Sequence, residues 1–192
     1  MPRASHSGWK APRDRPDPID LLVESSQGRL PELLPIRYGR MMQTPFAFYR
    51  GAAAIMACDL ASTPQSGIRV QACGDCHLVN FGWFATPERR IIFDMNDFDE
   101  TLPAPWEWDL KRLAASFVIA CRHNKFRARA SRQAAVLAAK AYREHMAAFA
   151  EMPVLARWHD SSDAAVVFAD PPWRGRSVLA GISAASPVNA VR

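Results

Sequence analysis

An α+β fold, with one β-hairpin packed on helices, is predicted by three features of the 192-residue chain. Residues 81 to 85 are an aromatic run, Thr86-Pro87-Glu88-Arg89 supplies turn residues, and Ile91-Ile92-Phe93 is a β-branched and aromatic return strand, which together read as a hairpin. Residues 44 to 60 place apolar side chains three and four apart, the period of a helix with one buried stripe. A longer helical pattern occupies residues 106 to 151. Hydrophobic residues at 49% and charged residues at 22% are ordinary for a globular chain, and the length allows one domain with a core.

In chain order, residues 1 to 16 are polar and proline-rich and are expected to be a disordered arm. A short helix is expected over residues 17 to 24. Residues 31 to 40 hold two prolines and are expected to be extended or irregular. Thr44-Pro45 then starts a helix with a hydroxyl cap and a first-turn proline. Its stripe is Phe46, Tyr49, Ala53, Met56 and Leu60, and the polar, proline-containing residues 62 to 67 end it. Residues 68 to 72 read as a strand entering a first polar cluster. Pro103 and Pro105 reset the chain before a helix beginning near Trp106. Glu107 and Asp109 suit the dipole of its first turn. Leu110, Leu113, Ala114, Phe117, Val118 and Cys121 are its expected apolar face, with Trp106 and Trp108 as core anchors. A further helix covers residues 129 to 151. The stretch from 153 to 192 has no sustained period and is expected to be an irregular tail, leaving residues 17 to 152 as the domain.

Composition narrows the function classes. No apolar run approaches the roughly 20 residues that cross a bilayer, and no apolar segment follows the N-terminal charges, so a cytoplasmic protein without membrane attachment is expected. The formal charge of +5 favours anionic partners weakly. Its basic stretches lack the interleaved aromatics of a nucleic-acid face, so nucleic acid is not an expected partner. Cys58, Cys73, Cys76 and Cys121 are expected to be reduced thiols.

The chemistry lies in residues 68 to 100. Two polar clusters, Asp75/His77/Asn80 and Asp94/Asp97/Asp99/Glu100, flank the hairpin. A hairpin holds its ends side by side, so loops leaving its open end should bring Asp75, Asn80 and Asp97 together. Asp75-x-x-x-x-Asn80, a hairpin and Asp97-Phe98 have the spacing of kinase-like phosphotransferases. There one Asp orients or deprotonates the acceptor hydroxyl, while an Asn and a second Asp hold magnesium. Magnesium prefers few protein ligands, all oxygen, with phosphates and water completing its shell.

Gly74-Asp75-x-His77-x-x-Asn80 resembles the corresponding motif of the aminoglycoside phosphotransferase and choline kinase group. Asp97-Phe98-Asp99 resembles that group's metal-binding segment, and Asp109-Leu110 with Leu113-Ala114 its following helix. More closely, the stretches at residues 44 to 51, 73 to 82 and 93 to 114 resemble the bacterial domain-of-unknown-function family twenty-two fifty-two, over about residues 35 to 152. The resemblance implies a protein-kinase-like C-lobe and ATP with magnesium as co-substrate. It also implies Asp75 and His77 at the catalytic position, Asn80, Asp97 and Asp99 toward the metal, and Asp109 holding the catalytic loop through backbone N–H groups. Arg50, beside Gly51, is a candidate for the nucleotide phosphates.

The chain also departs from that pattern. It has no glycine-rich strand pair, and Lys10, Lys111, Lys125 and Lys140 do not lie in a nucleotide-clamping strand. The nucleotide-binding lobe is therefore expected to be missing from this chain, truncated or frame-shifted in its tail, and supplied, if at all, by a neighbouring chain.

Blander readings stand beside these. Asp75, Asn80 and Asp97 also suit loops that cap strands, Asp94 and Asp99 each suit either a second metal ligand or a solvated acid, and Asp109 suits a dipole-complementing first-turn acid. His77 also suits hydrogen bonding within its loop, and Arg50 a solvated surface. Cys73-Gly-Asp-Cys76-His77 fits a covalent haem motif, but with no export signal haem is not expected. As a zinc site it is one ligand short unless Cys58 lies nearby. The function expected is phosphoryl transfer from ATP to an unknown hydroxyl acceptor. The alternatives are metal-assisted phosphoester hydrolysis by the same acids, or a non-catalytic remnant or interaction module.

Overall fold

Caps and prolines decide where the helices start. The computed structural model describes residues 4–160. After one turn, α1 (Ala4–Ser7), helix α2 (Pro18–Glu24) opens on Asp17, whose Oδ1 accepts the Ile19 N–H at 2.7 Å. Residues 31 to 40, expected to be irregular, are helical instead: a 3₁₀ turn (Pro31–Leu33) runs into α3 (Leu34–Met41). The prolines permit this because Pro31 and Pro35 both stand in first turns, where a missing N–H leaves no helix bond unmade.

The single helix expected over residues 44 to 60 is two, α4 (Pro45–Arg50) and α5 (Ala53–Ala61). Thr44 caps α4, its hydroxyl accepting the Ala47 N–H at 3.0 Å. The break falls at Gly51. Arg37 Nη2 donates to its carbonyl at 2.8 Å, and the Met41 sulfur lies 2.6 Å from where a Cβ would stand. A tertiary contact therefore interrupts an otherwise continuous helical period. Leu22, Met41, Ala52 and Ile55 form a small apolar core there, with Leu21 and Tyr38 packed on it.

Two antiparallel sheets follow, each of two strands: β1 (Arg69–Ala72) pairs with β4 (Leu102–Pro105), and β2 (Phe81–Ala85) with β3 (Ile91–Met95). The hairpin β2–β3 is the expected one, with Trp83 opposite Phe93 and their rings 5.0 Å apart. Thr86 N–H donates to the Arg90 carbonyl at 2.8 Å to close it, and Arg89 adopts a φ of 63° in the turn. Residues 103 to 105, expected only to reset the chain, form a strand despite two prolines. Trp106 N–H donates to Ile68 O at 3.4 Å, which places Ala104 and Leu102 at hydrogen-bonding positions two and four residues back. Pro103 and Pro105 fall between them, where no N–H is needed.

Helices α6 (Glu107–His123) and α7 (Ala128–Glu151) pack together, and Trp106 stacks on Tyr142 with centroids 5.4 Å apart. The expected apolar face of α6 is only half-buried. Its buried residues are Glu107, Arg112 and Ser116. A helix whose most enclosed side chains are polar is holding polar structure, because such groups stay buried only when partnered.

The N-terminal arm, expected to be disordered, touches α5. Trp9 Nε1 donates to Ser62 Oγ at 2.9 Å, and Arg15 bonds both carboxylate oxygens of Asp59 at 2.5 and 2.9 Å. A short α8 (Val154–His159) begins the region expected to be irregular, and residues 161 to 192 of that region lie outside the described residues. Among the described residues no helix is long and apolar enough to cross a membrane.

Candidate functional site

One face of α6 builds the site. Asp109, Arg112 and Ser116 recur at intervals of three and four, so they project from the same side of the helix. All three grip the loop over residues 73 to 80. Asp109 accepts the backbone N–H groups of Cys73 at 2.9 Å and Gly74 at 3.2 Å, and the Cys73 thiol at 3.3 Å. Ser116 Oγ accepts the Leu78 N–H at 3.0 Å. Arg112 Nε donates to Asp75 Oδ1 at 2.7 Å, and Nη2 contacts the same oxygen. The guanidinium also donates to the Tyr49 carbonyl at 2.8 Å and lies 4.4 Å from the centroid of that ring. The Tyr49 hydroxyl returns a bond to the Arg112 carbonyl at 2.7 Å, which ties α4 to α6.

Asp75 is therefore a buried carboxylate with a fixed orientation. Burial works to raise its pKa, but the hydrogen bond from His77 and the charge of Arg112 outweigh it and hold the group below the ordinary carboxylate value. His77, 1% exposed, has Nε2 at 3.5 Å from Asp75 Oδ2, while its Nδ1 accepts the Val79 N–H at 3.2 Å. The ring proton thus sits on Nε2, facing Asp75. His77 supports Asp75 and the loop at once.

Asn80 ends the same loop. Its Nδ2 donates to the Asp75 carbonyl at 2.8 Å, which leaves the amide oxygen as the atom available to a cation. Its own carbonyl accepts the Asn96 N–H at 2.8 Å and brings the second loop alongside the first. Asp97 Oδ1 accepts the Asp99 N–H at 3.1 Å, shaping that second loop as an Asx turn. The two loops meet at Gly74, which has a φ of +82°; a Cβ there would stand 2.0 Å from the Glu100 carbonyl oxygen. Only glycine meets both demands.

Asp75, His77, Asn80, Asp97 and Asp99 all line one cleft of about 830 Å³, so the residues expected to converge do share a cavity. Glu100 also lines it, and its carboxyl is pushed upward by loss of surrounding water and then by the charges of Asp75 and Asp97. Asp94 is not among the lining residues. It lies on β3 opposite Gly82, its Oδ1 accepting the Met95 N–H at 2.7 Å. Arg50 lines the cleft from the end of α4, together with Arg29, Arg37 and Arg40.

The cysteines present a different set of donors. Among the described residues Cys73, Cys76 and Asp109 bring ligand atoms within 4.8 Å of one another, and Cys58 does not join them. The Asp109 carboxylate in that group is already the acceptor for two backbone N–H groups. A zinc site would still be one ligand short.

Sequence reasoning missed Arg112, Ser116 and the cleft arginines Arg29, Arg37 and Arg40. For the first two a signal was available, since Asp109-x-x-Arg112-x-x-x-Ser116 repeats at helical spacing beside the apolar positions. The arginines carry no local mark, because their meeting depends on how α3 and α4 are placed.

No curated protein and no solved structure matches the chain. A family model matches residues 29–182, and the chain accordingly belongs to DUF2252, a family described as an uncharacterized protein conserved in bacteria.

Proposed function

We propose that this chain carries the metal-holding and acceptor-orienting part of a kinase-like phosphotransferase, in the manner of a protein-kinase C-lobe. The reaction is phosphoryl transfer from magnesium-bound ATP to a hydroxyl group. The observation that carries this reading is the convergence of Asp75, Asn80 and Asp97 on one cleft, from two loops in backbone contact at Gly74.

The donor set fits a hard cation. Asn80 and Asp97 offer oxygen atoms, Asp99 stands beside them, and phosphates and water would complete an octahedron. Glu100 is pushed upward first by burial and then by the charges of Asp75 and Asp97, and that negative charge is what a cation would relieve. When bound, the metal supplies charge neutralisation for the transferring phosphoryl group. Asp75 faces the acceptor hydroxyl. A carboxylate held below its ordinary pKa is a weak base, so its role is to orient the hydroxyl and take the proton late. A loose phosphoryl-transfer transition state asks for little more. His77 and Arg112 keep Asp75 charged and aimed, and Asp109 holds the loop that carries it.

The glycine-rich strands and strand lysine that clamp a nucleotide are not among the described residues, whose two sheets have two strands each. In this reading they come from protein outside residues 4–160 or from a neighbouring chain. Isothermal titration with ATP and magnesium tests the proposal: binding is expected that requires the metal and is lost in Asp97→Asn. Binding that is independent of magnesium, or that survives Asp97→Asn unchanged, would overturn it.

A further inference from the structure

The charges lining the cleft are segregated by chain segment. Asp75, Asp97, Asp99 and Glu100 come from the two loops, whereas Arg37, Arg40 and Arg50 come from α3 and α4. Residues 33 to 58 contain no acidic residue at all, so these two helices bring positive charge without any anion of their own. The arginines also differ in how far they are committed. Arg37 donates to Ser26 Oγ at 3.2 Å and to the Gly51 carbonyl at 2.8 Å, which makes it a strut between segments. Arg29 sits in the field of Glu100, lowering its pKa against the burial and the carboxylates that raise it. Arg40 and Arg50 are exposed and line the cleft, and their guanidinium groups make no hydrogen bond or ion pair with any of the described residues.

Two uncommitted guanidinium groups in one cavity with a fixed carboxylate amount to a receptor for an anion whose other end reaches Asp75. Guanidinium favours phosphate because its planar fork can give two parallel charge-assisted hydrogen bonds. The donor's phosphates already have a place on the metal side, at Asn80 and Asp97. We propose that Arg40 and Arg50 form a phosphate-binding site for the acceptor, so that the alcohol phosphorylated by this protein carries a phosphate group of its own. This rests on the phosphotransferase reading for the identity of the acceptor, but the anion site is testable without it.

The experiment is isothermal titration of the full chain, free of magnesium, with inorganic phosphate, glycerol 3-phosphate and glycerol. The two phosphates are expected to bind and glycerol is not. Arg40→Gln and Arg50→Gln are each expected to weaken binding by about tenfold, the scale of one charge-assisted contact. Arg143→Gln, at an exposed position on α7, controls for general charge and should change nothing.

Equal weakening by Arg143→Gln would reduce the effect to net charge and overturn the site. Loss of affinity for magnesium-ATP in the arginine variants, with no glycerol 3-phosphate binding by the unsubstituted chain, would assign the arginines to the donor and overturn the acceptor assignment. Phosphate binding that depends on Arg40 and Arg50, in a chain that never binds magnesium-ATP, would sustain the anion site while the phosphotransferase reading fails.

Discussion

Replacing Arg112 by Met tests how the central carboxylate is held. Arg112 is 2% exposed and Asp75 7%, so the pair is out of water, and Met keeps much of the volume while removing the charge. The substitution deletes the Nε bond to Asp75 Oδ1 at 2.7 Å, the Nη2 contact with the same oxygen, and the bond to the Tyr49 carbonyl at 2.8 Å. Breaking a buried pair from one side costs about 3–5 kcal/mol, because the remaining charge stays buried without its partner. For a chain of this size each kcal/mol moves Tm by about 2–4 °C, so Tm should fall by about 6–20 °C. Asp75→Leu combined with Arg112→Met removes both charges and should recover most of the loss, which gives a large coupling in a double-mutant cycle.

The same variant has a signature in pH. In the unsubstituted chain Asp75 is held below its unfolded value of about 3.9, so its contribution is present above that value and is lost as pH falls through the folded pKa. Without Arg112, burial is opposed by His77 alone and the folded pKa moves upward toward or past the unfolded value. The stability that the unsubstituted chain gains as pH rises through the acid range should therefore shrink in the variant. Urea unfolding followed by tryptophan fluorescence between pH 3 and pH 7 reads the slope. A loss under about 1 kcal/mol, typical of a solvent-screened pair, or an unchanged slope with pH, would refute the claim that Arg112 holds Asp75 charged in a dry site.

Three further outcomes follow from the same geometry. Gly74→Ala places a Cβ 2.0 Å from the Glu100 carbonyl oxygen at a φ of +82°, and should destabilise by more than about 2 kcal/mol while abolishing magnesium-ATP binding. Denaturation and titration together check it, and a fully stable variant would deny the contact between the loops. Asp109→Ala leaves the Cys73 and Gly74 N–H groups without their acceptor and should cost about 2–5 kcal/mol, with faster amide exchange at those two positions by NMR. Ser116→Ala removes the acceptor of the Leu78 N–H and should cost about 1–2 kcal/mol, with faster exchange confined to Leu78 and its neighbours.

Much of the fold was legible because the marks were local. Thr44 and Asp17 cap helices as hydroxyl and carboxylate caps do, the hairpin over residues 81 to 95 follows its own strand chemistry, and α7 starts and ends within a residue of its periodic pattern. Legibility failed where proline was read without its position. Pro31 and Pro35 occupy first turns, and Pro103 and Pro105 occupy the non-bonding side of a strand pair, so none of them excludes regular structure. The division of one expected helix into α4 and α5 was illegible for another reason, since Arg37 and Met41 impose it from a different helix.

By itself the sequence determined which chemistry the chain can present. Asp75, His77 and Asn80 lie within six residues, and the hairpin after them returns the chain to Asp97 through backbone pairing that its strands specify locally. Only the tertiary structure decided the electrical state and the surroundings of those groups. Whether Asp75 is charged depends on how deeply the fold buries it, on nearby His77, and on a guanidinium 37 residues away, carried by a helix whose orientation is settled by packing. Which cations share the cleft depends on where α3 and α4 come to rest. Short-range hydrogen bonding is written in neighbouring residues, whereas burial and electrostatic field are sums over the whole fold, and no local stretch of sequence contains them.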